Sequence, residues 1–195
     1  MNKRRLLAVL LSIVTVCASA QNFSGDLSPL KGQKEVNVVL DWTGMLVNEQ
    51  PEESHIEFSI KDKNEEEKAQ WLKEWNEDMR LRSYNLLVNR WALSKGLNER
   101  ISETGLSVGD YPNAEYTIYI KVINIDNGYA LGNAELTAEV SFIKTGESTP
   151  FATVTYDKCY GNAGFANGHH IERIARCFIT LHIKLAKTIN KEMKK

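Results

Sequence analysis

The chain has 195 residues, with 24 basic side chains against 25 acidic ones and 43% hydrophobic residues. That balance leaves no electrostatic case for nucleic acid or for an anionic membrane surface as a partner. The length suits one domain with a real core and is marginal for two.

Lys3, Arg4 and Arg5 open the chain, and Leu6 to Val16 is apolar apart from Ser12 and Thr15. Ala18-Ser19-Ala20 then places small side chains at the positions a signal peptidase reads. The three zones predict a cleavable secretory signal over residues 1–20, cut between Ala20 and Gln21, and a mature chain in the periplasm or secreted. The apolar run falls well short of the roughly 20 residues needed to cross a bilayer, so no integral span is expected after processing. Cys17 follows the branched Val16, whereas lipid attachment needs a small residue there, so Cys17 is assigned to the discarded peptide. The leader holds three of the 24 basic residues and none of the 25 acidic ones, which leaves the mature chain at net −4.

Residues 21–33 are polar and contain Gly25, Pro29 and Gly32, which predicts a flexible lead-in; the single folded domain is expected over 34–195. Val36 to Leu40 suits a buried strand, Asp41 to Ser54 a loop, and the alternation of Ile56, Phe58 and Ile60 a second, short strand over His55 to Ile60. Asn64 is a plausible cap for a long helical stretch reaching about Lys95, with Glu65, Glu66 and Glu67 in its first turn. Trp71, Leu72, Trp75 and Met79 share one face, whereas Tyr84, Leu87, Val88 and Trp91 share a rotated one. One helix covered on two sides, or two helices with a bend near Arg80 to Ser83, would explain this. Gly96 is read as the end. Tryptophans at helical spacing are read as core.

Period-two alternation then runs through Tyr116 to Ile125, Ala134 to Phe142 and Ala152 to Tyr156, polar on one side and apolar on the other. The phase slips at Val122-Ile123, where a β-bulge is expected. Asp126-Asn127-Gly128 and Thr145-Gly146-Glu147 are read as hairpin turns. Gly161 to Gly168 reads as a mobile linker. His169 to Glu192 is a closing helix with Ile171, Ile174, Ala175, Phe178, Leu181, Leu185, Ala186 and Ile189 on one stripe. The expected fold is α/β (α+β): a two-layer sandwich of a mainly antiparallel sheet with two amphipathic helices on one face.

Few residues suggest chemistry. The segment from Gly161 to Gly168 lacks the Gly-Lys-Ser/Thr of a phosphate loop. His169 and Glu172 share a helix face, but no third zinc ligand accompanies them, and His182 sits on the apolar stripe as a core histidine. Asp41 follows the first strand, a position many α/β enzymes use, with no partner evident. No residue is assigned a catalytic, cofactor-binding or metal-binding role, and no cofactor is expected. Cys159 and Cys177 survive maturation; in an oxidising compartment they are a candidate disulfide, and otherwise two buried thiols.

The first strand ending Val-Val-Leu-Asp, the helix, the meander with Thr-Gly at one hairpin and the closing helix resemble the periplasmic α/β domain of the curli-secretion-channel type. The same architecture belongs to the amino-terminal domain of the TolB translocation protein and to lipoprotein activators of cell-wall synthases. The stretch Tyr-Asp-Lys-Cys-Tyr-Gly-Asn-Ala-Gly is similar to small exported proteins of Bacteroidetes-type bacteria. The resemblance implies a non-enzymatic envelope protein that binds another envelope protein by a sheet edge or helix face. The chain departs from it in lacking a lipobox cysteine and the paired membrane strands of a channel. The other class of function is a small-ligand or hydrolytic protein using the region from Gly161 to His170.

Overall fold

The computed structural model describes residues 22–89, 95–128, 133–161 and 170–195. The leader, the Ala20–Gln21 junction and Trp91 lie outside the described residues. The first regular strand, β2 (Glu35–Asp41), forms where Val36, Val38 and Leu40 alternate with Asn37, Val39 and Asp41, and Val36 and Val38 are buried. It lies between β5 (Ser107–Gly109) and β6 (Tyr116–Asp126), parallel to both. From β6 the sheet continues through β7 (Ala134–Lys144) and β8 (Pro150–Gly161) as the antiparallel meander the alternation predicts. A short β1 (Phe23–Gly25) pairs antiparallel with β8 at the edge. The sheet order is β1-β8-β7-β6-β2-β5. The fold is therefore α/β with a mixed sheet: β2 and β5 contribute parallel pairing beside an antiparallel majority.

The slip in the alternation is a bulge. The register between β6 and β7 shifts between Val122 and Asn124, because Ile123 adds a residue that β7 does not match. At that point β2 gives way to β3 (Leu46–Val47), which continues along the same side of β6, opposite Asn124 and Ile125. β3 turns directly into β4 (Gln50–Pro51) through Asn48 and Glu49, both at positive φ, the geometry of a tight hairpin. The expected loop from Asp41 to Ser54 thus contains a small hairpin that fills the sheet beyond β2.

Two other expectations are corrected nearby. Residues 22–33 are no loose lead-in, because β1 is paired and a 3-10 turn at Ser28–Leu30 follows it, with Leu27 and Leu30 fully buried. His55 to Ile60 is no strand, because Glu52–Ile60 forms helix α1. Ile56 and Ile60 are four apart, which places them on one helix face against the core, whereas Phe58 points out. Pro51 before the first turn, and Glu52 and Glu53 within it, favour the helix start.

Asn64 caps helix α2 (Glu65–Lys73) with a reciprocal capping box: its Oδ1 accepts from the Glu67 amide at 3.0 Å, and the Glu67 carboxylate accepts from the Asn64 amide at 3.1 Å. A π-helical segment, Glu74–Asp78, joins α2 to α3 (Met79–Val88) without a break. The change of apolar face therefore lies at this wider turn, ahead of the bend expected near Arg80. Trp71 and Trp75 face the core before and within it, and Met79, Ser83, Leu86 and Leu87 after it. α3 ends at Asn89, and Gly96 starts the short α4 (Leu97–Arg100) instead of ending the long stretch.

Helix α5 (His170–Met193) packs across β7 and β8 and against α3. Every residue of its predicted apolar stripe is buried. Both helical rods lie on one side of the sheet, and the other side carries Tyr119, Lys121, Glu139, Ser141 and Thr155 toward water.

Candidate interaction surface

The residues that suggested chemistry are tied into the fold. Asp41 ends β2, and its Oδ2 accepts from the Tyr119 hydroxyl at 2.5 Å while Oδ1 accepts from the Thr43 amide at 2.9 Å. Partial burial alone would raise the Asp41 pKa, but these hydrogen bonds hold it below the ordinary carboxylate value. The same bond, assisted by burial, pushes the Tyr119 phenol up to about 12. Asp41 is a carboxylate closing a turn, with its lone pairs engaged.

His182 is the core histidine its position predicts. It is buried, with Nδ1 2.9 Å from the Leu86 carbonyl oxygen, and burial holds its pKa below the usual value. His169 lies outside the described residues. Glu172 bonds Arg176 at 2.9 Å and Arg82 at 2.5 Å, so it joins α5 to α3. No group of three metal-ligating side chains occurs among the described residues.

Of the two readings of the cysteine pair, the structure has the second: Cys159 and Cys177 are free, buried thiols. Cys159 sits in β8 opposite Leu136, and the Cys177 Sγ donates to the Arg173 carbonyl at 3.6 Å, one helical turn back. Burial pushes the Cys159 thiol up to about 11 and Cys177 higher still, so both stay protonated and unreactive. Gly161 is likewise structural. It ends β8 beneath α5, where a Cβ would stand 1.9 Å from the Arg173 carbonyl oxygen. Residues 162–169, the rest of the glycine-rich segment, lie outside the described residues.

One cluster groups a carboxylate, a histidine and two tryptophans at the junction of α1 with the long rod. Glu52 Oε1, at the start of α1, accepts from Trp75 Nε1 at 2.7 Å and from Arg80 Nη2 at 2.9 Å. His55 packs on Trp75 with ring centroids 4.8 Å apart, and Trp75 stacks on Trp71 at 5.4 Å. Burial holds the His55 pKa below its usual value, against the opposing charge of Glu52. A carboxylate that accepts two donors on its Oε1, beside rings in mutual contact, ties α1 to the long rod. Trp75 is fully buried, as its helical spacing predicts.

Two stretches of the sheet edge are closed by side chains. On β5, Ser107 and Gly109 face β2, so the Val108 amide and carbonyl point outward. Asn98 takes both: its Nδ2 donates to the Val108 carbonyl at 2.8 Å and its Oδ1 accepts from the Val108 amide at 2.6 Å. A single side-chain amide thus stands in for a neighbouring strand. On β8 beyond β1, Asp157 and Lys158 bulge against Thr137, with Lys158 at φ 52°. Lys184 then donates to the Asp157 carbonyl at 2.7 Å, and Thr180 to the Tyr160 carbonyl at 2.7 Å. Both devices blunt strand addition.

No protein-family model and no curated protein sequence matches the chain. Among solved structures it is similar to a PelC dodecamer from Paraburkholderia phytofirmans, at 11% identity over 83% of this chain and 94% of that one, with a TM-score of 0.39. It is also similar to protein XCC0632 from Xanthomonas campestris, of the DUF330 family model, at 9% identity over 88% and 96%, with a TM-score of 0.33. Likeness at this level says nothing about what this chain does.

Besides a depression of about 380 Å³ between Arg100 and Ile183, the outer side of the α2–π–α3 rod stays open. A depression of about 670 Å³ runs along α2 beside Gln70, Trp71 and Glu74. A second, of about 290 Å³, shares Glu74 and continues past Asp78 and Arg82 to Ile171 on α5. A third, of about 450 Å³, shares Asp78 and Arg82 and reaches Leu81 and Leu86. The three share Glu74, Asp78 and Arg82 in turn, which makes them neighbours along the rod and together one track. Leu81 projects there at 64% exposure. The other large exposed apolar side chains among the described residues are Phe58, partly screened by Lys61 at 4.4 Å, and Tyr160. The sequence signal for this surface was the rotated helical face; Leu81 itself carried none.

Proposed function

We propose that this chain is a non-enzymatic, exported cell-envelope protein whose α/β domain binds another envelope protein through its helical layer. The observation that carries the reading is the contrast between the clamped β5 edge and β8 end and the open track that ends at Leu81. Leu81 beside Asp78 and Arg82 would place an apolar contact inside a charged rim. Export rests on the three-zone leader, cut before Gln21. The resemblance to periplasmic interaction domains agrees with it as an analogy of pattern. No described helix is long and apolar enough to cross a membrane.

Affinity capture of the tagged mature chain from envelope extracts of its own organism tests the reading. One envelope protein should be recovered in near-equal amount with the bait, and its recovery should fall with Leu81→Ser. Recovery of the bait alone, or intact mass showing a retained leader, would overturn it.

A further inference from the structure

We infer that the track along the α2–π–α3 rod docks a basic, amphipathic helix of about five turns from the partner protein. The inference rests on the interaction role proposed above and names the chemistry of the partner.

Shape favours a helix. The track follows a helical axis from Glu67 to Leu86, roughly 28 Å at the rise of an α-helix. Two helices lie side by side at 8–10 Å when ridges of one fill grooves of the other. An incoming strand would need free backbone groups, and helices offer none along their length.

Charge sets the sign. The carboxylates of Glu66, Glu67, Glu74 and Asp78 line the track, against the cations of Lys63 and Lys73. The third cation, Arg82, is held by Glu172 at 2.5 Å, which removes it as a counter-charge. Gln70 donates to Glu74 at 2.7 Å and, being neutral, brings no counter-charge. Lys or Arg on the partner would meet Glu66 and Asp78, and Glu67 and Glu74, whose partners Asn64 and Gln70 are neutral, at the rim, where steering and specificity arise. The same field repels an anionic lipid surface.

Apolar contacts fix the register. Trp71 floors the first depression, Ile171 the second, and Leu81 stands proud at the far end. Such a knob with flanking pockets is what the i, i+3, i+4, i+7 anchors of an amphipathic helix fill.

The test uses the mature chain and an 18-residue Leu/Lys helical peptide carrying a fluorophore, read by anisotropy, with the matching Leu/Glu peptide as control. The Leu/Lys peptide should bind, more weakly at high salt. Affinity should fall at least tenfold in the double variant Glu74→Lys with Asp78→Lys, and several-fold in Leu81→Ser. It should be unchanged when the same charge is reversed off the track, at Glu57 and Glu139, which are exposed elsewhere. Leu81→Ser keeps the test usable if the double variant does not fold. Equal loss in the off-track variant, equal binding of the Leu/Glu peptide, or tighter binding to phosphatidylserine vesicles than to the peptide would overturn the inference. A captured envelope partner that ignores the track variants leaves the interaction role standing and removes this surface. Peptide binding that maps to the track with no partner captured supports the surface and removes the role.

Discussion

The two helical rods that cover the sheet use their outer sides differently. On α5, Thr180 and Lys184 reach down to the carbonyls of β8, and Arg176 pairs with Glu172. On the α2–π–α3 rod, the outer side holds carboxylates with no such duty and an exposed Leu81. A helix over a sheet edge spends its polar side chains on satisfying that edge. A helix away from the edge is free to meet another molecule.

The comparison can be broken at its inner side first. Trp75→Ala removes a fully buried ring that also donates to Glu52, and should cost about 3–5 kcal/mol by denaturant titration. A parent-like midpoint would place Trp75 outside the core. Gly161→Ala forces a Cβ against the Arg173 carbonyl and Cys177, so α5 must lift from β8; overpacking of this kind typically costs about 1–3 kcal/mol. The loss should appear as faster hydrogen exchange in α5, and unchanged exchange there would show that the helix has room.

Asn98→Ala leaves the Val108 amide and carbonyl without partners at the β5 edge, at about 1–3 kcal/mol. The variant should also self-associate through the opened edge, which light scattering would detect. A monomeric variant of parent stability would mean that the Asn98 clamp is incidental.

Acid sensitivity comes next. His55 and His182 have pKa values held below the usual 6.5 by burial. The unfolded chain therefore binds more protons between the two values, and stability rises with pH across that window. Full stability is expected above about pH 6.5, with progressive loss as pH falls through the lowered values. Urea midpoints at several pH values should show this slope, and His182→Gln should flatten it. A midpoint indifferent to pH over that range would contradict the burial of both rings. Smallest of all, Leu81→Ser should leave stability within about 0.5 kcal/mol, because the side chain is exposed.

Much of the α5 layer was legible, because one unbroken 3.6-residue period predicts a buried stripe. The bulge at Val122-Ile123 was legible for the same reason, since a phase slip in a period-two pattern has one geometric cause. The other rod was harder to read. Its π segment turns the apolar face without any proline or glycine to mark the place. The segment containing Ile56, Phe58 and Ile60 fits both periods, and only the tertiary fold decides that Ile56 and Ile60 share a helix face. Parallel pairing of β2 with β6 left no local mark, because the partners Asn37 and Thr117 stand far apart in the chain. The Asn98 clamp has no sequence signature: any loop asparagine looks the same until Val108 lies opposite. Cys159 and Cys177 suggested a bridge by their number and an oxidising compartment, and in the structure they are two free thiols, with Cys177 donating to its own helix.

The central claim is that partners meet the outer side of the α2–π–α3 rod. Hydroxyl-radical footprinting of the mature chain, free and bound to its captured partner, tests it most directly, because three exposed apolar side chains report on separate surfaces. Leu81, Phe58 and Tyr160 are 64%, 69% and 43% exposed and should all oxidise in the free protein. Binding should protect Leu81 and leave Tyr160 unchanged. Protection of Tyr160 or Phe23 with Leu81 still oxidised would place the partner at the β8–β1 edge and contradict the account.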